Sequence, residues 1–514
     1  MEEQQNLENQ QQQITLEQNK QQELPPKPKE TICQQKISQN YWRFVMTCIC
    51  FAFFYVLGTY KIDTGLGVFV SSLGEMACCF AILKQWDITM KKNTLYYVIM
   101  IVLMNGLMLW TDQSFLHFWQ KKIILLLFIV MMFHQMYTDT AWGFKTYIYN
   151  LFLLLFGGIA SLFQPIEHFI QQMRKKENQN QKWLYVILGL GIALPFTLVI
   201  IAMLMSADSV FANMIVKLVG NLFYPPNIIA VTFLFVLGYW IFYCFMASLA
   251  RKELSTTTKQ TIQIEPIIAI TFTSVLLIVY LLFCGIQIWY LFIGKGNLPE
   301  GYTYSSYARK GFFELFFVSV INFLMVIICN WKFRKHNILN GILTAVSICN
   351  VIMIASSFYR MMLYVKAYHM TVLRVYVFWF LALLAVSMAG VVYAIYHKQY
   401  RLYQYLFVVG FIFMTILSAV KPEAFVAKYN LEHMKQYTTS DIRSIMFSSL
   451  DVVPELAKID ASKIVTEPDQ PTGEEMMKNY FEKVIKECEQ KTVRAYHIGI
   501  AQAEKAAKEY LKNH

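Results

Sequence analysis

The chain has 514 residues, of which 56% are hydrophobic, 16% aromatic and only 15% charged. A soluble domain carries roughly 25% charged residues and could not hide this much apolar surface, so composition excludes a soluble protein and requires a bilayer. The net charge of +12 would suggest nucleic acid in a soluble protein. Here Lys and Arg sit in short loops between apolar runs, the membrane pattern, which argues against a nucleic-acid partner.

The first 40 residues are polar and rich in Gln, with Pro25, Pro26 and Pro28, a composition that cannot bury a core and reads as a disordered N-terminal tail. No cleavable signal peptide precedes the first apolar run, 41–60, which is long enough to span and reads as an uncleaved first helix. Further spans are expected at 65–83, 95–110, 123–137, 147–163, 184–205, 228–248, 267–292, 311–329, 338–358, 371–393 and 405–420. Run 147–163 contains Gly157 and Gly158, ends at Gln164-Pro165 and is followed by a polar stretch, 167–182. Trp110, Trp119, Trp289, Tyr290 and Trp331 fall near span ends, where interfacial anchoring accounts for them.

Orientation follows from Lys and Arg in short loops. With the N-terminus, Lys36 and Arg43 in the cytoplasm, the loop holding Lys84, Lys91 and Lys92 is cytoplasmic after two spans. The loops around Arg174-Lys175-Lys176, Arg251-Lys252, Lys332/Arg334/Lys335 and Lys398/Arg401 share one side with each other. They agree with the N-terminus only if 147–163 is re-entrant or interfacial. The expected fold is therefore all-α, a polytopic membrane bundle of about eleven helices over residues 41–420, with the tail 421–514 outside. Against this, Lys121 and Lys122 would lie at an outer end. The tail should form small helices over 423–456, a linker at 466–473 with Pro468 and Pro471, and one long helix from 474 to about 511. That helix reads as a packing or partner helix, with a membrane-surface helix as the alternative.

Polar residues inside or beside spans are the candidate chemistry. The stretch 301–322 turns from a polar loop into a membrane helix between Arg309-Lys310 and Phe312-Phe313, and Glu314 follows one turn in. Lys310 and Glu314, four apart, share a helix face, as do Tyr307 and Gly311. A carboxylate there is tolerated mainly against protein, water or a cation. Glu75, beside Gly74, is the other intramembrane acid. Asn105, Gln287, Asn322 and Asn350 suit interhelical hydrogen bonds.

Several separate stretches carry a family resemblance: LMSADSVFA at 204–212, YLLFCGIQIWYLF at 280–292, YSSYARKGFFEL at 304–315, YRMMLYVKAYHMTVLR at 359–374, and an echo from KYNLEH to LDVVPEL at 428–456. In order and spacing these resemble bacterial polytopic membrane proteins of the 4153/4173 class of domains of unknown function, over roughly residues 184–456. The preceding residues match only in being apolar. The resemblance implies a bacterial cytoplasmic membrane protein and no particular activity.

In the expected topology the resembling loops share the outer side, which gathers Asp208, Arg309, Lys310, Glu314, Arg360, Tyr364, Lys366, Tyr368 and Arg374. Acids facing Arg near a helix end can lock helices together or hold a charged solute group. P-loop, metalloprotease and nucleophile-elbow motifs are missing, the cysteines form no C-x-x-C pair, and no cofactor or metal set is expected. Two function classes follow. One is a structural, sensory or regulatory envelope component whose polar face and tail bind an envelope protein. The other is a transporter of a small solute, anions included, built around Asp208, Glu314, Arg309 and Arg360, with a membrane-embedded transferase as a distant third.

Overall fold

In hydrocarbon every backbone N–H and C=O must be satisfied within the segment, so the apolar runs fold as helices. The computed structural model describes residues 31–138, 142–175, 225–251, 264–289, 312–397, 399–434, 436–465 and 471–513, and part of the stretch 189–214, which is helical where described except at Asp208. In chain order the membrane part contains α1 (Ile32–Gln39), α2 (Tyr41–Thr59), α3 (Leu66–Gln85), α4 (Thr94–Trp110), α5 (Ser114–Met136), α6 (Phe144–Ala160), α7 (Gln164–Lys175), α8 (Pro225–Ala250), α9 (Pro266–Gln287), α10 (Phe312–Lys332), α11 (Asn337–Tyr368), α12 (Val372–Tyr396) and α13 (Leu402–Val420). Among the described residues nine of these, α2, α3, α5 and α8 to α13, are long and apolar enough to cross a membrane. The apolar α4 is shorter, and α6 and α7 form a pair bent by 51°. The chain is thus an all-α, multi-pass membrane protein.

The helices pack around several apolar cores, one of which joins α4, α5 and α13 through Met104, Leu116, Leu127, Met414 and Leu417. Around α2, α3 and α8, Phe44, Cys48, Cys79, Ile82, Tyr243 and Met246 form one apolar core. A Cβ on Gly74 of α3 would run into the Phe54 ring of α2, so glycine there sets the close approach of these two helices. Around α9 to α12, Val326, Leu343, Val346, Met388 and Val391 form another. The expected interhelical bonds are present: Asn105 Nδ2 donates to Ser72 Oγ at 2.9 Å, Tyr280 OH to Asn322 Oδ1 at 2.7 Å, and Asn350 Nδ2 to the Ser319 carbonyl at 3.1 Å.

The bundle has two chemically different ends. At one, Thr31 Oγ1 donates to the Ala250 carbonyl at 2.5 Å, Lys36 pairs with Asp87 at 2.5 Å, Ile264 bridges to Phe333, and Lys335 Nζ donates to the Ile395 carbonyl at 2.9 Å. Lys84, Lys91, Lys92, Arg251, Lys332, Arg334 and Arg401 lie in the turns there, so we call it the basic end. The other end carries the connections at 60–65, 111–113 and 369–371 and the start of the C-terminal tail.

Three expectations are revised or sharpened. Residues 32–39, placed in the disordered tail by composition, form α1, held by a Thr31/Gln34 capping box and by burial of Cys33 and Ile37. The segment 147–163 does not run beside α8 along its full length. α6 starts near the basic end, with the Tyr147 and Tyr403 rings 5.5 Å apart. Its end and α7 then bond to α8 through Trp240 Nε1 to the Leu162 carbonyl, His168 Nδ1 to Tyr243 OH, and Ser248 Oγ to the Leu154 carbonyl, all within the last half of α8. This geometry supports the non-crossing alternative, and the glycine pair and Gln164-Pro165 break explain why the helix bends rather than continues.

The third revision concerns the tail. It contains α14 (Pro422–His433), β1 (Tyr437–Thr438), α15 (Thr439–Met446), a 3₁₀ turn at Leu450–Val452 running into α16 (Val453–Leu456), β2 (Ile464–Val465) parallel to β1, α17 (Gly473–Gln490) and α18 (Ile498–Asn513). The expected single helix over 474–511 is therefore a hairpin. The chain leaves α17 at Lys491, with extended backbone at Thr492 before a 3₁₀ turn, Val493–Ala495. Folding back lets both amphipathic helices bury their apolar faces, with the Phe481 and Tyr510 rings 4.3 Å apart and Ile442, Val453, Leu456, Met477, Ala503 and Ala507 in one core. Most of the linker expected at 466–473 lies outside the described residues.

Candidate functional site

At the tail end a polar centre sits where the helical tail meets the bundle. The short connection Thr111-Asp112-Gln113 between α4 and α5 presents its polar groups to the tail. Thr111 Oγ1 and the Asp112 N–H both donate to Asp451 Oδ2, at 2.5 and 2.9 Å. Asp112 answers with its own carboxylate, accepting the Leu450 N–H at 3.1 Å and facing His497 Nε2 at 3.1 Å. Lys421 Nζ lies 3.0 Å from Asp451 Oδ1, with both side chains nearly out of contact with solvent, at 11% and 1% exposure. The same ammonium donates to Gln502 Oε1 at 2.9 Å and stands 4.6 Å from the Trp110 ring centroid. The elements α4, α5, α13, α16 and α18 thus converge on two carboxylates, one ammonium and one imidazole.

The local electrostatics follow from this packing. Burial pushes the Asp112 carboxyl up, but the His497 ring and the Leu450 N–H that bond it outweigh this and hold it below its ordinary value. Lys421 is in left-handed backbone, φ 52°, directly before Pro422 at the first turn of α14. A non-glycine residue there carries about 1 kcal/mol or more of strain and persists only where its surroundings over-determine it. The Asp451 and Gln502 contacts supply that constraint. Glu423, one turn into the tail, accepts the Ser449 N–H at 2.7 Å, and Asn430 makes a reciprocal pair with Met370, 2.8 and 2.9 Å, at the α11–α12 connection.

A second polar centre lies between α9 and α11 near the same end. Ser356 Oγ donates to Gln287 Oε1 at 2.8 Å, and Arg360 Nη2 reaches the same oxygen at 3.4 Å. Arg360 is buried, so its long stem and guanidinium are held by helix packing rather than by water. One helical turn on, the Tyr364 and Tyr368 rings are 5.2 Å apart, and the Arg374 guanidinium stacks 4.2 Å from Tyr364 while donating to the Tyr368 carbonyl at 2.8 Å and to the His369 carbonyl. These bonds close the α11–α12 turn.

The sequence-derived residues divide accordingly. Arg360, Tyr364, Tyr368 and Arg374 come together at the tail end, with Glu314 exposed in the first turn of α10, where a carboxylate suits the helix N-terminus. Lys366 is exposed on α11. Asp208 is exposed, and its Oδ1 accepts the Val210 and Phe211 N–H groups at 2.7 and 3.4 Å, a local capping role. Arg309 and Lys310, with Tyr307 and Gly311, lie outside the described residues. Glu75 is half-buried in α3, and no ion pair joins it to the other candidates among the described residues. Asp112, Lys421, Asp451 and His497 were missed. LDVVPEL contained Asp451 but showed no partner for it, and Thr111-Asp112-Gln113 lay between two expected spans with nothing to mark it. Among the described residues no group of His, Cys, Asp and Glu could hold a metal ion, and the ten cysteines are free thiols.

Searches of curated proteins and of solved structures return no match to the chain. Comparison with protein families matches residues 98–459 to the family described as Domain of unknown function (DUF4153). The match begins well before residue 184, so the region that resembled the family only in apolarity is part of it, from the middle of α4 through the bent pair α6–α7. It holds Asp112, Lys421 and Asp451, and ends between α16 and α17. The chain belongs to the DUF4153 family.

Proposed function

We propose that the chain is a structural or regulatory component of the cell envelope, in which the tail is a docked module that reads or relays the state of the membrane bundle. One observation carries this reading. The tail binds connections from both halves of the bundle: the α2–α3 turn through the Tyr496 carbonyl, the α4–α5 turn through Asp451, the α11–α12 turn through Asn430, and the end of α13 through Lys421. Alternating access needs two halves that rock about a central polar site. A tail bonded to both halves opposes that motion. The Lys and Arg at the basic end support a cytoplasmic position for it, with the tail outside.

Proteoliposomes carrying the purified chain, screened with small anions under imposed proton and sodium gradients, are expected to show no flux above protein-free vesicles. In cells, a photo-crosslinking residue at the exposed Phe447 is expected to capture an envelope component in the wild type and to lose it with Asp451→Asn. A flux abolished by Glu314→Gln at unchanged protein abundance would overturn the reading in favour of transport.

A further inference from the structure

The turn between α17 and α18 presses on the start of a membrane span. The Leu66 N–H, at the first residue of α3, donates to the Tyr496 carbonyl at 3.0 Å. Gly65, with φ +116°, permits this approach, since a Cβ there would stand 2.5 Å from the Arg494 carbonyl oxygen and 2.6 Å from the Ala495 carbonyl carbon. The turn is thus fixed at the first residue of a membrane-crossing helix. At this level it shows Val493, 80% exposed, with Tyr496 and Ile498 also exposed. The bonded Leu66 is itself exposed, as is Val70 about one turn further along this membrane-crossing helix. Apolar side chains held beside the start of a membrane-crossing helix have a natural place among acyl chains.

The cations around the tip complete the pattern. The Arg494 guanidinium stands 6.0 Å from the Tyr60 ring and Lys61 Nζ 5.5 Å from it. Lys121, on α5, reaches Asp63 in the same turn at 3.4 Å, and Lys122 lies 5.4 Å from the Phe118 ring beside the exposed Trp119. Among the described residues Lys491 on the tip pairs with Glu487 at 3.7 Å, and Arg494 and Lys122 add positive charge to the rim. Aromatic rings and cations at a span end suit lipid headgroups. This also accounts for Lys121 and Lys122, which the distribution of charge left anomalous at this end.

We propose that the α17–α18 turn is a lipid-binding tip: Val493 inserts beneath the headgroups, while Arg494 binds the phosphate of an anionic bilayer lipid. The inference needs only that the bundle is in a membrane and does not depend on which side the tail occupies. The test uses the full chain with Cys50→Ser and Val493→Cys, labelled at 493 with an environment-sensitive fluorophore, in nanodiscs containing spin-labelled phosphatidylglycerol or phosphatidylcholine. The expected result is blue-shifted emission, quenched more strongly by the anionic lipid, with that preference falling about fivefold in Arg494→Gln. Water-like emission, or blue-shifted emission that neither lipid quenches because protein covers the tip, would overturn the proposal. So would equal quenching by the two lipids in the chain that retains Arg494.

Discussion

Asp451 carries the most consequential contacts of the tail junction. Its carboxylate is almost fully buried and is matched by Lys421, Thr111 Oγ1 and the Asp112 N–H. Removing one partner of a buried ion pair leaves the other charge uncompensated, at a cost of about 3–5 kcal/mol. Asp451→Asn and Lys421→Met should each release the tail, read as new proteolytic cleavage between bundle and tail. The double variant should lose less than the sum of the two, because neither charge is then stranded. Asp112 adds a pH dependence. Its carboxyl sits below the ordinary value, so its contribution is present above about pH 3.9 and is lost as pH falls through the lower folded-state value. His117 on α5 and Lys421, Asp451 and His497 are the neighbouring charged or titratable groups. Thermal midpoints taken across acid pH should flatten in Asp112→Asn relative to the wild type.

Elements repeat the lesson that polarity and period reveal helices but not their partners. The apolar runs located the membrane helices because hydrocarbon leaves the backbone no other choice. The tail pattern at Met477, Phe481, Val484 and Cys488 correctly signalled an amphipathic helix. It could not show the break at Thr492, since Ala495, Ile498 and Ala501 keep apolar spacing across the turn. Nor could spacing show that Thr438 and Asp441 cap α15, or that Gly65 is shaped to receive Arg494. Two outcomes follow at this scale. Phe481→Ala should destabilise the tail core by about 3–5 kcal/mol, read as faster hydrogen exchange throughout α17 and α18 with the bundle unchanged. Gly65→Ala should instead free the α17–α18 turn alone, read as lost protection of the Leu66 amide with α17 still protected.

For the whole molecule, the bundle and the tail are one folded unit joined by buried polar contacts. Composition settled the membrane class, and the charge of the turns separated the two bundle ends, because both are properties of the chain summed over many residues. The candidate site was legible only in part. Arg360, Tyr364, Tyr368 and Arg374 stand close together in sequence, the first three spaced by four, so the sequence could group them on one expected side. Asp112, Lys421, Asp451 and His497 come from four distant stretches, and only the fold brings them together. The most direct measurement of this account is double electron–electron resonance between spin labels at Ser114, exposed at the start of α5, and Lys483, exposed on α17. A Cys50→Ser background would be used, since the other native cysteines are buried and burial pushes the Cys488 thiol to about 11. The docked tail predicts one narrow distance distribution that broadens in Asp451→Asn. A broad distribution in the wild type, unchanged by that substitution, would contradict it.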